Sequence, residues 1–121
     1  MTEKFEAIKP FANDEHFAIR EKAWFVMRGA ILENLEESIA ILSKWSEEED
    51  PNLRCFASEA TRPRGVWTKH INELKESLEL ALSILEPLKS YKEKYVQDSV
   101  GNWLNDASKT KPEWVENLCK N

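Results

Sequence analysis

The sequence predicts an all-α protein, and three features of its composition and pattern support this fold class. Only three glycines occur in 121 residues. Leu, Ala, Glu and Lys, which favour helices, dominate the apolar and charged positions. Apolar residues recur in several segments at the spacing of a helix with one buried face. A chain of this length builds one small domain, so residues 1–121 are read as a single unit.

Three segments share one helical pattern, which indicates an internal repeat. They are FAIREKAWFVMRG from residue 17, PNLRCFASEATRP from residue 51 and KYVQDSVGNWLND from residue 94. At the same place in each segment stands a small or branched apolar residue, namely Ala23, Ala57 and Val100. The three segments therefore predict three helices that present the same face to a common core.

Each of these helices alternates with a second apolar helix, predicted over residues 35–46, 77–89 and 111–120. Pro87 is expected to kink or shorten the middle one. Helix pairs that repeat along a chain are typical of an α-α superhelix, here a HEAT-like repeat solenoid of about three pairs. The predicted repeats span approximately residues 12–48, 49–91 and 92–121.

Charge, cysteines and hydropathy exclude several classes of function. The net charge of −5 argues against binding nucleic acid through bulk electrostatics, so any DNA contact must be local. Cys55 and Cys119 have no neighbours at metal-ligand spacing, so neither a metal nor another cofactor is expected. No apolar run reaches the length of a membrane span, and MTEKFEAIKPF lacks the apolar core of a signal peptide. A cytoplasmic protein without membrane contact is therefore expected.

The stretch RCFASEATRPRGVW, residues 54–67, contains the first group of candidate functional residues. Pro63 should end its helix near Arg62, and Arg64 with the following glycine should turn the chain. Two arginines at a helix end most often pair with carboxylates, but they also clamp phosphates in a bidentate manner. Trp67 either plugs the edge of the solenoid or offers an aromatic face to a cationic group.

The helix around residues 94–108 contains the second group. Asp98, Asn102 and Asp106 fall four residues apart, on a face separate from the apolar stripe. This polar row is either a solvated surface or a wall that presents the carboxylate of Asp106. In the first repeat, Glu21 and Trp24 lie close to one face, where Trp24 fits a core position at least as well as a ligand site.

Together, RCFASEATRPRGVW and the later YVQDSVGNWLNDASK resemble bacterial DNA alkylation repair glycosylases built from HEAT-like repeats, nearer to the AlkC branch than to AlkD. The resemblance implies a protein that acts on duplex DNA with alkylated bases. It would excise cationic bases of the 3-methyladenine and 7-methylguanine type by hydrolysing the N-glycosidic bond. A carboxylate and aromatic faces would stabilise the positive charge that develops on the sugar.

The resemblance also implies roles for particular residues. Asp106 matches the carboxylate that lies against the deoxyribose, Trp67 matches an aromatic residue at the lesion, and a third cleft residue would be Glu21 or Trp24. The residues implied as phosphate contacts are Arg62, Arg64, Arg54 and Arg20. Members of the family are about twice this length, so the resemblance covers the solenoid from its middle onward. A non-catalytic DNA- or protein-binding module, or a half-domain inactive without further repeats, remains the alternative, and the oligomeric state stays open.

Overall fold

A computed structural model describes residues 2–63, 71, 74, 76–89 and 91–120. Throughout these residues the regular structure is helical, which confirms the all-α prediction. The helices are α1 (Thr2–Ala12), α2 (Phe17–Glu33), α3 (Leu35–Trp45), α4 (Pro51–Ala60), the 3-10 helix η1 (Leu78–Ala81), α5 (Leu82–Leu88), α6 (Lys94–Ser108) and α7 (Pro112–Lys120).

The helices pack in two rows that form a superhelix. Helix α4 lies between α2 and α6, while α3 packs against η1 and α5, and α7 packs against α6. The successive pairs α2/α3, α4/α5 and α6/α7 are the three predicted pairs, which confirms the predicted α-α superhelix. The exact repeat bounds of 12–48, 49–91 and 92–121 stay a prediction.

Local sequence signals set the ends of two helices. Helix α4 begins after Asp50, whose Oδ1 accepts the backbone N–H of Asn52 at 2.8 Å, and Pro51 occupies its first turn. Helix α5 ends at Leu88, one residue after Pro87, as expected of a proline that shortens its helix. The first turn of the predicted 77–89 helix is the separate 3-10 helix η1.

Helix α1 lies outside the predicted helices and closes one end of the core. Phe5 is 1% exposed and packs edge-on against Trp45, with ring centroids 5.6 Å apart. Trp45 in turn contacts Phe56, at 5.1 Å. Aromatic pairs in this arrangement stabilise a core beyond their buried area. The helix therefore covers aromatic surface on α3 and α4 that would otherwise meet water.

The core runs through every helix pair. Its largest fully buried side chain is Trp103 of α6. The indole Nε1 of Trp103 donates to Thr61 Oγ1 at 3.2 Å, and that hydroxyl donates to the carbonyl of Ala57 at 2.7 Å. This chain of hydrogen bonds satisfies the buried indole and locks α6 to the C-terminal end of α4. Of the helices described, none is long and apolar enough to cross a membrane.

Buried Cys55 makes the stability of the fold sensitive to alkaline pH. Burial raises the pKa of this thiol to about 12. Because the folded-state pKa lies above the unfolded one, the related stability is complete below about pH 8.5 and is lost as pH rises towards the folded-state pKa. We expect Cys55→Ala to lose less stability than the wild type when urea unfolding is repeated at about pH 8 and about pH 11.

Cys119 provides the matched control because its side chain is exposed. Cys119→Ala should follow the wild-type pH dependence. Some alkaline loss should remain in Cys55→Ala, since burial also raises the pKa of Tyr95 to about 12. An equal alkaline loss in Cys55→Ala and the wild type would contradict this account.

Candidate functional site

The two candidate groups meet where the C-terminal ends of α4 and α6 come together. Arg62 and Asp106, 44 residues apart in sequence, form a bidentate ion pair. Arg62 Nε donates to Asp106 Oδ2 at 2.8 Å and Nη2 donates to Oδ1 at 3.1 Å. The hydrogen bond to Asp106 is the main reason why the pKa of Arg62 is raised. The side chain of Asp106 is 4% exposed, so this is a charge-assisted pair largely shielded from water.

A second carboxylate extends the pair across the same contact. Glu59 Oε1 lies 3.3 Å from Arg62 Nη1. The other oxygen, Oε2, accepts the hydroxyl of Ser99 of α6 at 2.6 Å. Arg62 is thus held between one carboxylate from α4, the helix that it follows, and one from α6.

A buried arginine of α2 supports the group from behind. Arg28 is 6% exposed, and its guanidinium donates to the backbone carbonyls of Ala60 at 3.2 Å and Arg62 at 2.9 Å. These carbonyls lie at and just beyond the C-terminal end of α4, where the helix dipole favours a cation. Burial first, and then the nearby Arg62, lower the pKa of Arg28 to about 10, so the side chain is still charged at neutral pH.

We call Arg28, Glu59, Arg62 and Asp106 the charged cluster. It joins α2, α4 and α6, the three helices of the repeated pattern. Two guanidiniums face two carboxylates, so the formal charges of the cluster balance. A balanced, hydrogen-bonded cluster avoids most of the cost of burying isolated charges, while removing one member leaves another uncompensated.

Burial divides the polar row of α6. Asp98 is exposed and pairs with Lys94 at 2.9 Å, one turn earlier on its own helix, and Asn102 is exposed too. Asp106 is only 3% exposed because the last turn of α6 faces the end of α4. The solvated-surface interpretation therefore holds for Asp98 and Asn102 but is wrong for Asp106. Its implied role at the deoxyribose stays a prediction.

Two of the predicted contact residues, Arg64 and Trp67, lie outside the described residues. In the first repeat, Glu21 is exposed on α2, whereas Trp24 is 9% exposed and packs edge-on against Phe17 at 5.8 Å. The indole N–H of Trp24 has no hydrogen-bond partner within the described part of the chain. Trp24 therefore occupies a core position and still carries one unused donor.

Arg20 and Arg54 are held by contacts within the protein. Arg20 donates to the carbonyl of Asp14 at 2.7 Å and to Tyr95 Oη at 3.3 Å. Arg54 donates to the carbonyl of Pro87 at 3.2 Å and stacks on the ring of Tyr91 at 3.9 Å. Both guanidiniums thus tie neighbouring elements together, and their contact with phosphates stays a prediction.

Sequence reasoning missed the parts that Arg28 and Glu59 play in the cluster. A signal was present for Arg28, which stands among Trp24, Met27 and Ile31 on the buried face of α2. An arginine at a core position requires buried partners. Glu59 carried no such signal, because carboxylates within a turn of an arginine are common on solvated helices. Among the described residues no cluster of side chains could hold a metal ion.

A helical superhelix in which two motif strings meet through a buried arginine and carboxylate pair fits the class of DNA alkylation repair proteins. The family described as DNA alkylation repair enzyme matches residues 15–120. The chain belongs to this family, which confirms the resemblance inferred from its sequence.

Two similar proteins add detail. The uncharacterized protein YhaZ of Bacillus subtilis (strain 168) is 40% identical over 114 residues, covering 94% of this chain and 31% of that protein. The alkylpurine DNA glycosylase AlkC of Pseudomonas fluorescens, bound to DNA containing an abasic site analog, is 37% identical with a TM-score of 0.78. That match covers 82% of this chain and 28% of AlkC. The chain thus spans about a third of the length of these relatives, so the expectation that relatives are about twice as long is wrong for both.

Proposed function

We propose that this chain forms part or all of a DNA glycosylase that excises cationic N-alkylated bases of the 3-methyladenine and 7-methylguanine type. Membership of the DNA alkylation repair enzyme family and the likeness to AlkC support the proposal. Its substrate is duplex DNA, and we expect the protein to meet that substrate in the cytoplasm.

The observation that carries the proposal is the ion pair between Arg62 and Asp106. Arg62 belongs to RCFASEATRPR and Asp106 to NWLNDASK, so the two strings that carry the family resemblance share one contact. A buried charged site built from residues far apart in sequence is a candidate functional centre. The contact lies in the last turn of α6, next to the C-terminal end of α4.

In the proposed reaction the C1′–N bond of the alkylated nucleotide breaks and the base leaves as a neutral molecule. The positive charge of the base passes to the deoxyribose, where water adds at C1′ and releases a proton. A fixed carboxylate beside the sugar stabilises this charge. Asp106 supplies that carboxylate, and the other proposed cleft residues are Trp67 and either Glu21 or Trp24.

Arg62 fixes the direction of the Asp106 carboxylate. Each carboxylate oxygen has a second lone pair beyond the one that accepts from Arg62. A carboxylate held in this way is preorganised, so it can stabilise a nearby cation without first having to reorient. The resemblance also implies that Arg62 contacts DNA phosphates. In that case its guanidinium would donate hydrogen bonds to a phosphate as well as to Asp106 and Glu59.

A second function, a non-catalytic module that binds DNA or protein, is favoured by the burial of Asp106. A carboxylate that is 4% exposed and bound through both oxygens fits a structural ion pair as well as a catalytic group. The concave surfaces of solenoids are general binding surfaces. Release of bases separates the two functions.

The test is to incubate the purified chain with methylated duplex DNA and to measure released bases by chromatography. Release of 3-methyladenine or 7-methylguanine above the spontaneous rate is the expected result. Unmethylated DNA is the control for contaminating activity, and circular dichroism verifies that the protein is folded. A folded chain that binds DNA and releases no base would overturn the glycosylase proposal and favour the binding module.

A further inference from the structure

Helix α2 has a buried apolar side and, opposite to it, a side that is exposed among the described residues and mixes apolar with charged side chains. The buried side carries Ala23, Met27 and Ile31. The other side exposes 38% of Phe25 and 69% of Val26. Large apolar side chains left exposed on a helix, between charged residues, are common where another surface packs. The open side of α2 therefore has the composition of a contact surface.

Gly29 lies on this open side. A Cβ built on Gly29 meets nothing within 4 Å, so no neighbour in the part of the chain that the structure describes requires a glycine there. Glycine within a helix is unfavourable relative to alanine, because it leaves the unfolded backbone more freedom. A glycine on an exposed apolar helix face allows another helix to approach its backbone closely.

Four residues form what we call the open stripe: Lys22, Val26, Gly29 and Glu33. They follow one another at intervals of four, three and four residues, which places them within about 60° of one another around the helix. All four are exposed. A cation stands at one end, a carboxylate at the other, and a large and a small residue lie between them.

We propose that the open stripe binds the open stripe of a second copy of this chain, with the two α2 helices antiparallel about a two-fold axis. An isologous contact requires a surface that complements itself. In the antiparallel arrangement that sets Lys22 against the partner's Glu33, Val26 meets the partner's Gly29. The Lys22–Glu33 pair and the Val26–Gly29 pair are centred on the same point of the helix, between residues 27 and 28. One two-fold axis at that level therefore generates both pairs and their symmetry mates.

The charges and shapes of the stripe argue for this occupant over an unrelated helix. Lys22 and Glu33 neutralise each other only across the antiparallel pair, since they are about 16 Å apart along one helix. Glu33 stands in the last turn of α2, where the helix dipole disfavours a carboxylate and no basic residue is present. The partner's Lys22 supplies the missing cation. Val26 fits the space left by Gly29.

The contact is small, so the dimer should depend on concentration. One helix face of 17 residues is about 26 Å long and gives less than the area of a standard protein interface. Sedimentation velocity over a concentration series is therefore the appropriate measurement. The expected result for the wild type is a reversible shift from monomer to dimer. A wild type that stays monomeric throughout would overturn the proposal.

Charge reversal tests the register. Lys22→Glu and Glu33→Lys each place like charges together in a homodimer, so each variant alone should dimerise at least about tenfold more weakly. An equal mixture of the two variants restores both ion pairs and should form heterodimers. The double variant Lys22→Glu/Glu33→Lys should dimerise like the wild type. A dimer that both single variants leave unchanged would contradict this interface.

The four residues of the stripe are exposed, so these variants should fold, which circular dichroism verifies. Gly29→Leu provides an independent steric test, because its side chain fits the monomer but blocks the approach of the partner's Val26. We expect this variant to be monomeric. A wild-type dimer that survives this substitution would also contradict the proposal.

Discussion

Replacing Asp106 by asparagine is expected to lower the rate of base release at least about 100-fold, the size of effect seen when a preorganised electrostatic group is removed. Asparagine keeps the shape of the side chain and one oxygen acceptor but removes the negative charge. The sugar then loses the stabilisation that the proposed mechanism requires. Single-turnover release from methylated duplex DNA measures the effect.

The same substitution should also reduce stability, because Asp106 is buried against Arg62 and is no solvated surface residue. Loss of the charged hydrogen-bond partner should lower the free energy of unfolding by about 1–3 kcal/mol. Release must therefore be compared at equal folded fraction, which urea unfolding provides.

Asp98→Asn is the matched control for this experiment. Asp98 lies on the same helix but is exposed and pairs only with Lys94 one turn away, according to the described contacts. A surface pair of this kind contributes little to stability, so both release and unfolding should stay near wild type. Undiminished release by folded Asp106→Asn would assign Asp106 to structure alone.

Replacing Arg28 by methionine is expected to lower the free energy of unfolding by about 3–5 kcal/mol, the usual cost of removing one partner from a buried group of paired charges. Methionine fills much of the space of the arginine stem, so the loss arises from the guanidinium. The carbonyls at the end of α4 lose their buried donor, and the charged cluster becomes net negative. Urea unfolding at neutral pH measures the change.

Two further variants show whether the geometry of the guanidinium matters. Arg28→Lys keeps the charge but not the planar fork that reaches both Ala60 and Arg62, so it should fall between methionine and wild type. Lys22→Met, on the exposed side of the same helix, should change unfolding little at concentrations where the protein is monomeric. Equal stability of Arg28→Met and wild type would contradict the supporting role of Arg28.

The sequence predicted the fold from its repeated apolar pattern, because that pattern records which face of each helix is buried. Helix α1 escaped prediction. Only Phe5 and Ala12 of this helix are buried, so its apolar pattern is short, and Pro10 between them weakens the helical signal. The order of the other helices followed from the alternation of the three repeated segments.

The candidate site was only partly predictable for a different reason. Periodicity located Asp106 on a polar row, yet it gave no information on what faces the last turn of that row. The partner, Arg62, lies 44 residues earlier, and either role considered for the arginines suits the same local sequence. The family resemblance brought both residues to attention, while only the packed helices reveal their pairing.

The most direct test of the central claim is a crystal structure of this chain with duplex DNA containing an abasic-site analogue. The claim is that Asp106, held by Arg62, faces the deoxyribose from which the base departs. The result it predicts is a carboxylate of Asp106 in contact with that sugar, while Arg62 keeps at least one hydrogen bond to it. DNA bound at another surface, with Asp106 still enclosed between α4 and α6, would contradict the claim.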